Sequence, residues 1–242
     1  MQATQAVFGA TRGTGLEIVR HLIARGEPVV AVARDPDKAR RVIGPGAEIV
    51  RADVTQPRTL QACIQPDWRA IHFTVDITGG IGGRGMFGRR DAIYGTVCGG
   101  LVNTVDAARQ CGFTGQVVLL STVGLQAPSL TARILDTVKP GLLQASTDKG
   151  DYLAGSGLDY SIVYAGILNN RPGGARALVL EQRPVSMTPS RRIARRDLAR
   201  VMVAAVGNAR NRIFNAYEGD GPPQDDDMLA AQLAALGTAT AA

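Results

Sequence analysis

The sequence has few of the residues that build metal sites, disulfide frameworks or membrane spans. Its 242 residues include 3 cysteines and 2 histidines, and neither type shows the pair spacing of a zinc site, a thiol-exchange motif or a hydrolase triad. No apolar run reaches the roughly 18 residues of a transmembrane helix. The first five residues also lack the basic and hydrophobic parts of a signal peptide. We therefore expect a cytoplasmic protein whose cysteines are reduced.

Lysine is also scarce, although the chain as a whole is basic. The formal net charge is +6, and 27 basic residues include 3 lysines. Such a surplus attracts anions, but the sequence contains no helix-turn-helix, finger or basic arm that would read nucleic acid. The densest basic stretch, at 191–196, has no aromatic residues between its arginines. We therefore do not expect nucleic acid to be a partner, and we interpret this stretch as a solvated helix start or the rim of a site for an anionic substrate.

The hydropathy pattern predicts alternating strands and helices. Hydrophobic residues make up 45% and charged residues 20% of the chain, as in soluble globular proteins. In the first 125 residues, short β-branched runs alternate with amphipathic stretches, the pattern of βαβ units. Strands are predicted at 6–8, 29–33, 48–51, 70–75, 116–121, 159–164 and 212–216, and helices at 13–25, 37–42, 57–64, 92–111, within 130–153 and at 195–206.

These elements predict an α/β protein with a Rossmann-like, doubly wound parallel sheet. We expect a single domain over 1–242, with 166–192 and 217–242 forming a small C-terminal substrate-binding region. Segment 172–189 is rich in proline, glycine and arginine, and it could form a short lid or β-ribbon. The last six residues are expected to be disordered.

The strongest motif is the glycine-rich turn GATRGTG at 9–15, between the first predicted strand and the first helix. Gly9 would make the tight turn, Gly13 would let the backbone approach a pyrophosphate, and Gly15 would let the helix pack on the strand. The helix N-terminus offers free N–H groups to phosphates. The motif therefore predicts a dinucleotide site that also includes Thr11 and Thr14; the alternative is a tight turn with a structural role alone.

The residues after the second predicted strand favour NADP. Arg34 takes the position where NAD-binding enzymes usually carry an acid for the ribose 2′-hydroxyl. Arg12 lies in the glycine turn, so two guanidinium groups could fork onto a 2′-phosphate. Asp35 would favour NAD if the register were shifted by one residue. Asp53, followed by Val54, is placed either to meet the adenine ring or to cap the next helix.

Together these motifs resemble an atypical short-chain dehydrogenase/reductase, most closely the NmrA-like group with its NADP-dependent quinone and triphenylmethane-dye reductases. The similar stretches are GATRGTG at 9–15 for GATGGTG, ARDP at 33–36, DV at 53–54, GLDYSIVYAG at 157–166 for SGLDYTIVRPG, and IARRDLA at 193–199 for I-x-R-x-D-V-A. They extend over about residues 5–217. Arg12 replaces a glycine of the group, and Tyr164-Ala165 replaces Arg-Pro. We also expect cofactor contacts from Thr74, Val75, Tyr164, Ala165 and Gly166.

The larger reductase family carries its chemistry on a serine and a Tyr-x-x-x-Lys pair, because a nearby cation lets tyrosine protonate a developing alkoxide. Ser121 matches the serine, with Thr122 beside it, but no Tyr-x-x-x-Lys spacing occurs in the chain. The resemblance places Leu142 and Ser146 at the two positions. It therefore implies an NADPH-dependent reductase of hydrophobic, conjugated electrophiles, such as quinones, enones, iminium ions or cationic dyes, in keeping with secondary metabolism.

Two other functions remain open, a non-catalytic NADP sensor and a redox-neutral isomerase or cyclase. Lys149 is a candidate catalytic residue, although a lone lysine on a helix is ordinarily exposed. Tyr94 and Tyr152 are spare proton donors, with core packing as the alternative. The glycine- and arginine-rich segment 77–90 is either a loop beside the nicotinamide or a solvated loop.

Overall fold

The computed structural model describes residues 4–76, 89–127 and 129–237. The first half of the chain alternates strands with helices in the order β1 (Gln5–Phe8), α1 (Gly13–Ala24), β2 (Val29–Ala33), α2 (Pro36–Ile43), β3 (Glu48–Arg51), α3 (Pro57–Cys63), β4 (Ala70–Phe73), α4 (Arg90–Gln110) and β5 (Gln116–Thr122). The second half continues with α5 (Leu130–Val138), α6 (Leu142–Ala154), β6 (Asp159–Ala165), β7 (Ile167–Asn169), β8 (Leu178–Glu181), β9 (Arg192–Ala194), α7 (Arg195–Asn208), β10 (Arg212–Glu218) and α8 (Asp226–Ala234). The predicted alternation is confirmed, with boundaries in the first half correct to about two residues.

The main sheet has eight strands in the order β3-β2-β1-β4-β5-β6-β10-β8. Its neighbouring strands are parallel except for β8, which runs antiparallel to β10. The chain runs outward from β1 to β3 and then returns to β4 on the other side of β1. Open α/β sheets bind ligands beyond the carboxyl ends of their strands at such a reversal. The Rossmann-like fold therefore places a ligand crevice beside the ends of β1 and β4.

Helices cover both faces of this sheet, as a parallel sheet requires. Side chains alternate between the faces along a strand. In β1, Ala6 and Phe8 belong to the core beneath α3, α4 and α6, whereas Val7 belongs to the core beneath α1, α7 and α8. The rings of Phe8 and Phe73 stack across β1 and β4 with centroids 6.3 Å apart. This packing fixes the two strands whose ends border the crevice.

The second half of the chain differs in detail from the sequence-based expectation. The predicted helix within 130–153 is two helices, α5 and α6, separated by Pro140 and Gly141, and Gly141 has a φ of +77°. Within 172–189, β8 joins the main sheet as an edge strand rather than forming a separate ribbon. The short strands β7 and β9 pair with each other in a second sheet. Among the described residues, no helix is long and apolar enough to span a membrane.

His72 in β4 has a structural role. It is fully buried, and its Nε2 lies 2.8 Å from Oε1 of Gln5. Burial lowers the pKa of His72 to about 3, so the ring is neutral at ordinary pH. The hydrogen bond joins the first residue of β1 to the third residue of β4 within the sheet.

Candidate active site

The glycine turn lies so close to β4 that two of its positions have no room for a side chain. A Cβ atom on Gly9 would lie 2.7 Å from Thr74 Oγ1, and one on Gly15 would lie 2.4 Å from the carbonyl oxygen of Gly9. Gly9 also has a φ of +88°. Thr74 donates from both its hydroxyl and its backbone N–H to the carbonyl oxygen of Phe8, at 2.8 and 3.0 Å. The turn is therefore determined sterically, as the motif predicts.

The N-terminus of α1, directly after this turn, has the features of a phosphate site. The helix begins at Gly13, which is exposed and has a φ of +55°. Its N-cap residue, Arg12, makes no side-chain capping bond, and its first turn contains no acid. The buried hydroxyl of Thr14 has no hydrogen-bond partner among the described residues. Free N–H groups at a helix N-terminus bind anions, and the glycine cradle fits the diphosphate of a dinucleotide.

The two arginines predicted for the 2′-phosphate follow neighbouring strands, Arg12 after β1 and Arg34 after β2. Arg12 Nη2 donates to the carbonyl oxygen of Asp76, beyond the end of β4, at 3.0 Å. Arg34 directly follows β2 and is exposed. Asp35 accepts the backbone N–H of Lys38 at 3.0 Å and is the N-cap of α2. A joint contact of both arginines would therefore require Arg12 to release Asp76, whereas no such contact among the described residues holds the exposed Arg34.

Asp53 lies in a local turn at the end of β3. Its Oδ1 accepts the backbone N–H and the hydroxyl of Thr55, at 2.9 and 2.8 Å. The N-cap of α3 is Gln56, so Asp53 does not cap that helix. The adjacent Val54 is buried against α4, where a Cβ on Gly100 would lie 2.8 Å from its Cγ2. The adenine contact of Asp53 and Val54 stays a prediction.

At the chemical end of the crevice, Ser121 lies near the carboxyl end of β5. Its side chain is buried, and its Oγ has no hydrogen-bond partner among the described residues. Lys149 on α6 donates from Nζ to the carbonyl oxygen of Leu120, the residue before Ser121, at 3.0 Å. The buried ammonium group of Lys149 therefore contacts the residue next to Ser121, whose buried hydroxyl has no partner among the described residues.

Lys149 is not the exposed helical lysine that its sequence context suggests. It is 5% exposed, and burial lowers its pKa to about 8, with smaller opposing contributions from Asp76 and Cys98. Ser146 lies one turn earlier on α6 and is also buried. Residues three apart share a helix face, so Lys149 presents its ammonium group from the face on which the resemblance expects a lysine at 146. A lysine with such a pKa can donate a proton near neutral pH.

A second lysine, which sequence reasoning missed, lies near this end of the sheet. Lys139 follows α5 and is 8% exposed, and its Nζ lies 3.1 Å from Oδ2 of Asp76. Asp76 thus accepts a hydrogen bond from Lys139 through its carboxylate and one from Arg12 through its backbone carbonyl oxygen. No sequence motif indicates a role for Lys139, because the segment after α5 and the end of β4 come together only through tertiary packing.

The two candidate tyrosines outside the sheet are hydrogen-bonded to carboxylates. Tyr94 donates to Oδ2 of Asp148 at 2.8 Å, and Tyr152 donates to Oδ1 of Asp106 at 2.5 Å. These hydrogen bonds raise the pKa of both phenols. A phenol held in its neutral form by a carboxylate is a poorer acid, so neither arrangement favours the predicted role of spare proton donor.

The remaining predicted site residues lie near Ser121 or outside the described ranges. Tyr164 pairs with Ser121 in neighbouring strands, and burial raises the pKa of its phenol. Gly166 passes so close to β9 that a Cβ would lie 2.6 Å from the carbonyl oxygen of Arg191. Thr122 and Val75 are half-buried. Of the predicted loop 77–90, residues 77–88 lie outside the described residues, so its contact with nicotinamide stays a prediction.

Comparison with known proteins agrees with this geometry. A family model described as NAD(P)H-binding matches residues 9–209, a range that includes the glycine turn, Ser121 and Lys149. The fold is similar to that of ChuY, an anaerobillin reductase from Escherichia coli O157:H7, with a TM-score of 0.71 and 21% identity over 92% of this chain and 100% of that chain. This similarity supports the Rossmann-like fold alone.

Several curated proteins match parts of the chain, including the three that follow. The chain is 34% identical over 180 residues to an uncharacterised chloroplastic protein of Arabidopsis thaliana, covering 70% of this chain and 61% of the relative. It is 36% identical over 137 residues to the chloroplastic divinyl chlorophyllide a 8-vinyl-reductase of Oryza sativa subsp. indica, covering 53% and 32%. It is 32% identical over 120 residues to the sanguinarine reductase of Eschscholzia californica, covering 48% and 42%. The chain thus spans less than two thirds of the length of each of these three relatives. Because two of them are chloroplastic, a cytoplasmic location of this chain stays a prediction.

Proposed function

Because the chain belongs to the NAD(P)H-binding family, we propose that it is an NADPH-dependent reductase of a hydrophobic, conjugated small molecule. Two relatives are named as reductases, one of divinyl chlorophyllide a and one of sanguinarine. Both names denote conjugated ring compounds. The observation that carries the proposal is a hydrogen bond between α6 and β5. The buried ammonium group of Lys149 donates to the carbonyl oxygen of Leu120, next to Ser121, at 3.0 Å.

The proposed chemistry divides between these two side chains. When bound, the reduced nicotinamide supplies a hydride. The Ser121 hydroxyl, which has no partner among the described residues, donates a hydrogen bond to the substrate atom on which negative charge develops. Such a donor stabilises the transition state more than the ground state. Lys149 supplies positive charge beside that atom and, with its pKa lowered to about 8, a proton.

The preference for conjugated substrates follows from the tyrosines. An unactivated ketone needs a positioned acid as the hydride arrives, and loss of a general acid lowers the rate by about 10²–10⁴-fold. Tyr94 and Tyr152 are bonded to carboxylates that raise their pKa values. Lys149 is then the proposed proton source, and its Nζ is held by the carbonyl oxygen of Leu120 at 3.0 Å. A quinone, enone or iminium ion spreads or neutralises the incoming charge, so its protonation by Lys149 can follow the arrival of the hydride.

The preference for NADP rests on Arg34 and Asp35. Asp35 is oriented by its capping of α2, in which Oδ1 accepts the backbone N–H of Lys38. Arg34 is exposed at the end of β2. A guanidinium group at this position binds a 2′-phosphate through charge-assisted hydrogen bonds.

The proposal is tested by following NADPH oxidation by the purified protein with a panel of quinones, enones, cationic dyes and simple ketones. We expect turnover with the conjugated acceptors, with reduced product formed in equal amount to the NADPH consumed. Tight NADPH binding without turnover of any acceptor would contradict a reductase, and would favour a sensor or a redox-neutral isomerase or cyclase.

A further inference from the structure

A cleft of about 350 Å³ opens beside the N-terminus of α1. One wall is α1 itself, with Gly13 and Glu17, and the other is formed by residues 170–172 and the start of α7, with Arg195 and Arg196. The two basic residues belong to the stretch that sequence reasoning interpreted as a helix start or an anionic rim. The cleft therefore joins that stretch to the glycine turn.

Arg195, the first residue of α7, lies over Gly13. A Cβ built on Gly13 would lie 3.6 Å from Arg195 Nε and 3.9 Å from its Cδ. Arg195 Nη1 donates to Oδ1 of Asn170 at 2.6 Å. The position above Gly13 is open because glycine has no side chain, so the guanidinium group and the free N–H groups of α1 face the same space.

The charge of Arg195 is not balanced by a carboxylate among the described residues. The acid in the cleft wall, Glu17, pairs instead with Arg20 at 2.9 Å. Arg195 is half-buried, and burial lowers the pKa of its guanidinium group. A partly desolvated cation is unfavourable unless an anion accompanies it. The guanidinium group of Arg195 and the N–H groups at the start of α1 could therefore hold an anion above Gly13.

Asn170 is held in place by a second set of contacts. The segment that follows it is attached to α7 through the buried Asp197, whose Oδ1 accepts the backbone N–H of Gly174 at 2.8 Å. Gly173 has a φ of +74°, and a Cβ there would lie 3.0 Å from the same carboxylate oxygen. The segment is thus fixed to the helix that carries Arg195, and Asn170 orients the guanidinium group.

We propose that Arg195, positioned by Asn170, binds the diphosphate of the cofactor at the N-terminus of α1. Guanidinium forks match phosphate oxygens in a bidentate manner, and the helix N-terminus supplies N–H groups from the opposite side. This inference rests on the proposed use of a dinucleotide cofactor. It assigns one arginine to each phosphate group, Arg195 to the diphosphate and Arg34 to the 2′-phosphate.

The two assignments are separated by ligands that contain one phosphate group or the other. Dissociation constants are measured calorimetrically for NADP⁺, NAD⁺, ADP and adenosine 2′-monophosphate. Arg195→Gln should weaken NADP⁺, NAD⁺ and ADP by a similar factor of about 10-fold to 10²-fold, as expected for a lost charge-assisted hydrogen bond, and should leave adenosine 2′-monophosphate unchanged. Arg34→Gln should weaken NADP⁺ and adenosine 2′-monophosphate and spare the other two.

Matched variants separate ligand binding from structural damage. Arg210→Gln removes an exposed charge just beyond the other end of α7, where Arg210 pairs with Asp159, and it should alter all four constants by less than about 2-fold, as for a screened surface charge. Arg195→Lys keeps the charge without the fork and should give a loss of intermediate size. Asn170→Ala should weaken ADP in the wild type but not in the Arg195→Gln background, because a positioning residue acts only through its partner.

An equal loss of ADP and adenosine 2′-monophosphate in both Arg195 variants would overturn the inference, as would equal effects of Arg195→Gln and Arg210→Gln. Failure of the wild type to bind any dinucleotide would overturn both this inference and the proposed function. If the expected binding pattern appears while no acceptor is reduced, the reductase proposal fails and the diphosphate assignment holds.

Discussion

The two ends of the crevice are built in different ways. At the nucleotide end, the backbone forms the site, because Gly9 and Gly15 approach Thr74 and each other so closely that a Cβ would overlap their neighbours. At the chemical end, side chains from separate elements form it, since Lys149 of α6 reaches β5 beside Ser121. A backbone site requires particular residues in a short stretch and is visible in the sequence. A side-chain site depends on which helix face packs on the sheet, and any residue of that face can supply the group.

The largest effect is expected from a methyl group at the nucleotide end. In Gly15→Ala, the added Cβ would lie 2.4 Å from the carbonyl oxygen of Gly9, so the turn must shift. We expect measurable NADPH binding to be abolished and the free energy of unfolding to fall by about 1–3 kcal/mol, as followed by titration and denaturant unfolding. Gly95→Ala on α4 is the matched control: a Cβ there meets none of the described residues within 4 Å, and alanine should stabilise the helix by about 0.5–1 kcal/mol. Equal outcomes for the two variants would contradict a sterically determined turn.

A smaller and different effect is expected at the chemical end. Ser121→Ala removes a buried hydroxyl that has no partner among the described residues, so the fold loses no hydrogen bond. We expect kcat to fall by about 10-fold to 10³-fold with little change in NADPH affinity. Ser161→Ala removes a buried serine of β6 that donates to the carbonyl oxygen of Ala209, and should lower stability without lowering kcat of the folded enzyme. If Ser121→Ala keeps the wild-type kcat, Ser121 has no role in the chemical step.

Cofactor choice should change by the smallest factor. We expect the wild type to bind NADP(H) at least about 10-fold more tightly than NAD(H), from charge-assisted hydrogen bonds to the 2′-phosphate. Arg34→Asp should reverse the preference in a direct titration of both cofactors. Arg12→Gln sharpens the comparison: because Arg12 is held by Asp76, it should change the ratio less than Arg34→Asp does. Equal affinities of the wild type for the two cofactors would contradict the assignment.

The difference between a site formed by local backbone and one formed by distant side chains also decides how much of the molecule could be predicted from the sequence. The ends of β2 and the start of α1 follow from β-branched runs and glycines in the local sequence, and both are confirmed. The break between α5 and α6 was signalled by Pro140-Gly141, a pair typical of turns, and could have been placed. The pairing of β8 with β10 could not, because it joins segments that are distant in sequence.

Lys149 shows most clearly which part of the site the sequence alone does not reveal. The family resemblance directs attention to residues 142 and 146, where this chain carries leucine and serine. The structure instead buries the lysine one turn later on α6 and directs its Nζ to the carbonyl oxygen of Leu120. Arg195 is similar, because its place over Gly13 depends on α7 packing against α1. The Lys149 contact has no local sequence signature, whereas the motif IARRDLA at 193–199 marks Arg195 but not its place over Gly13.

The central claim is that Lys149 supplies the charge and the proton that a Tyr-x-x-x-Lys pair supplies elsewhere. The most direct measurement is the pH dependence of kcat for reduction of a conjugated acceptor by the wild type and by Lys149→Met. Because burial lowers the pKa of Lys149 to about 8 and only the protonated amine can donate, wild-type kcat should be highest below that pH and should fall as the pH rises through it. In Lys149→Met, kcat should be lower and this decline should be absent. Identical profiles for the two proteins would contradict the claim.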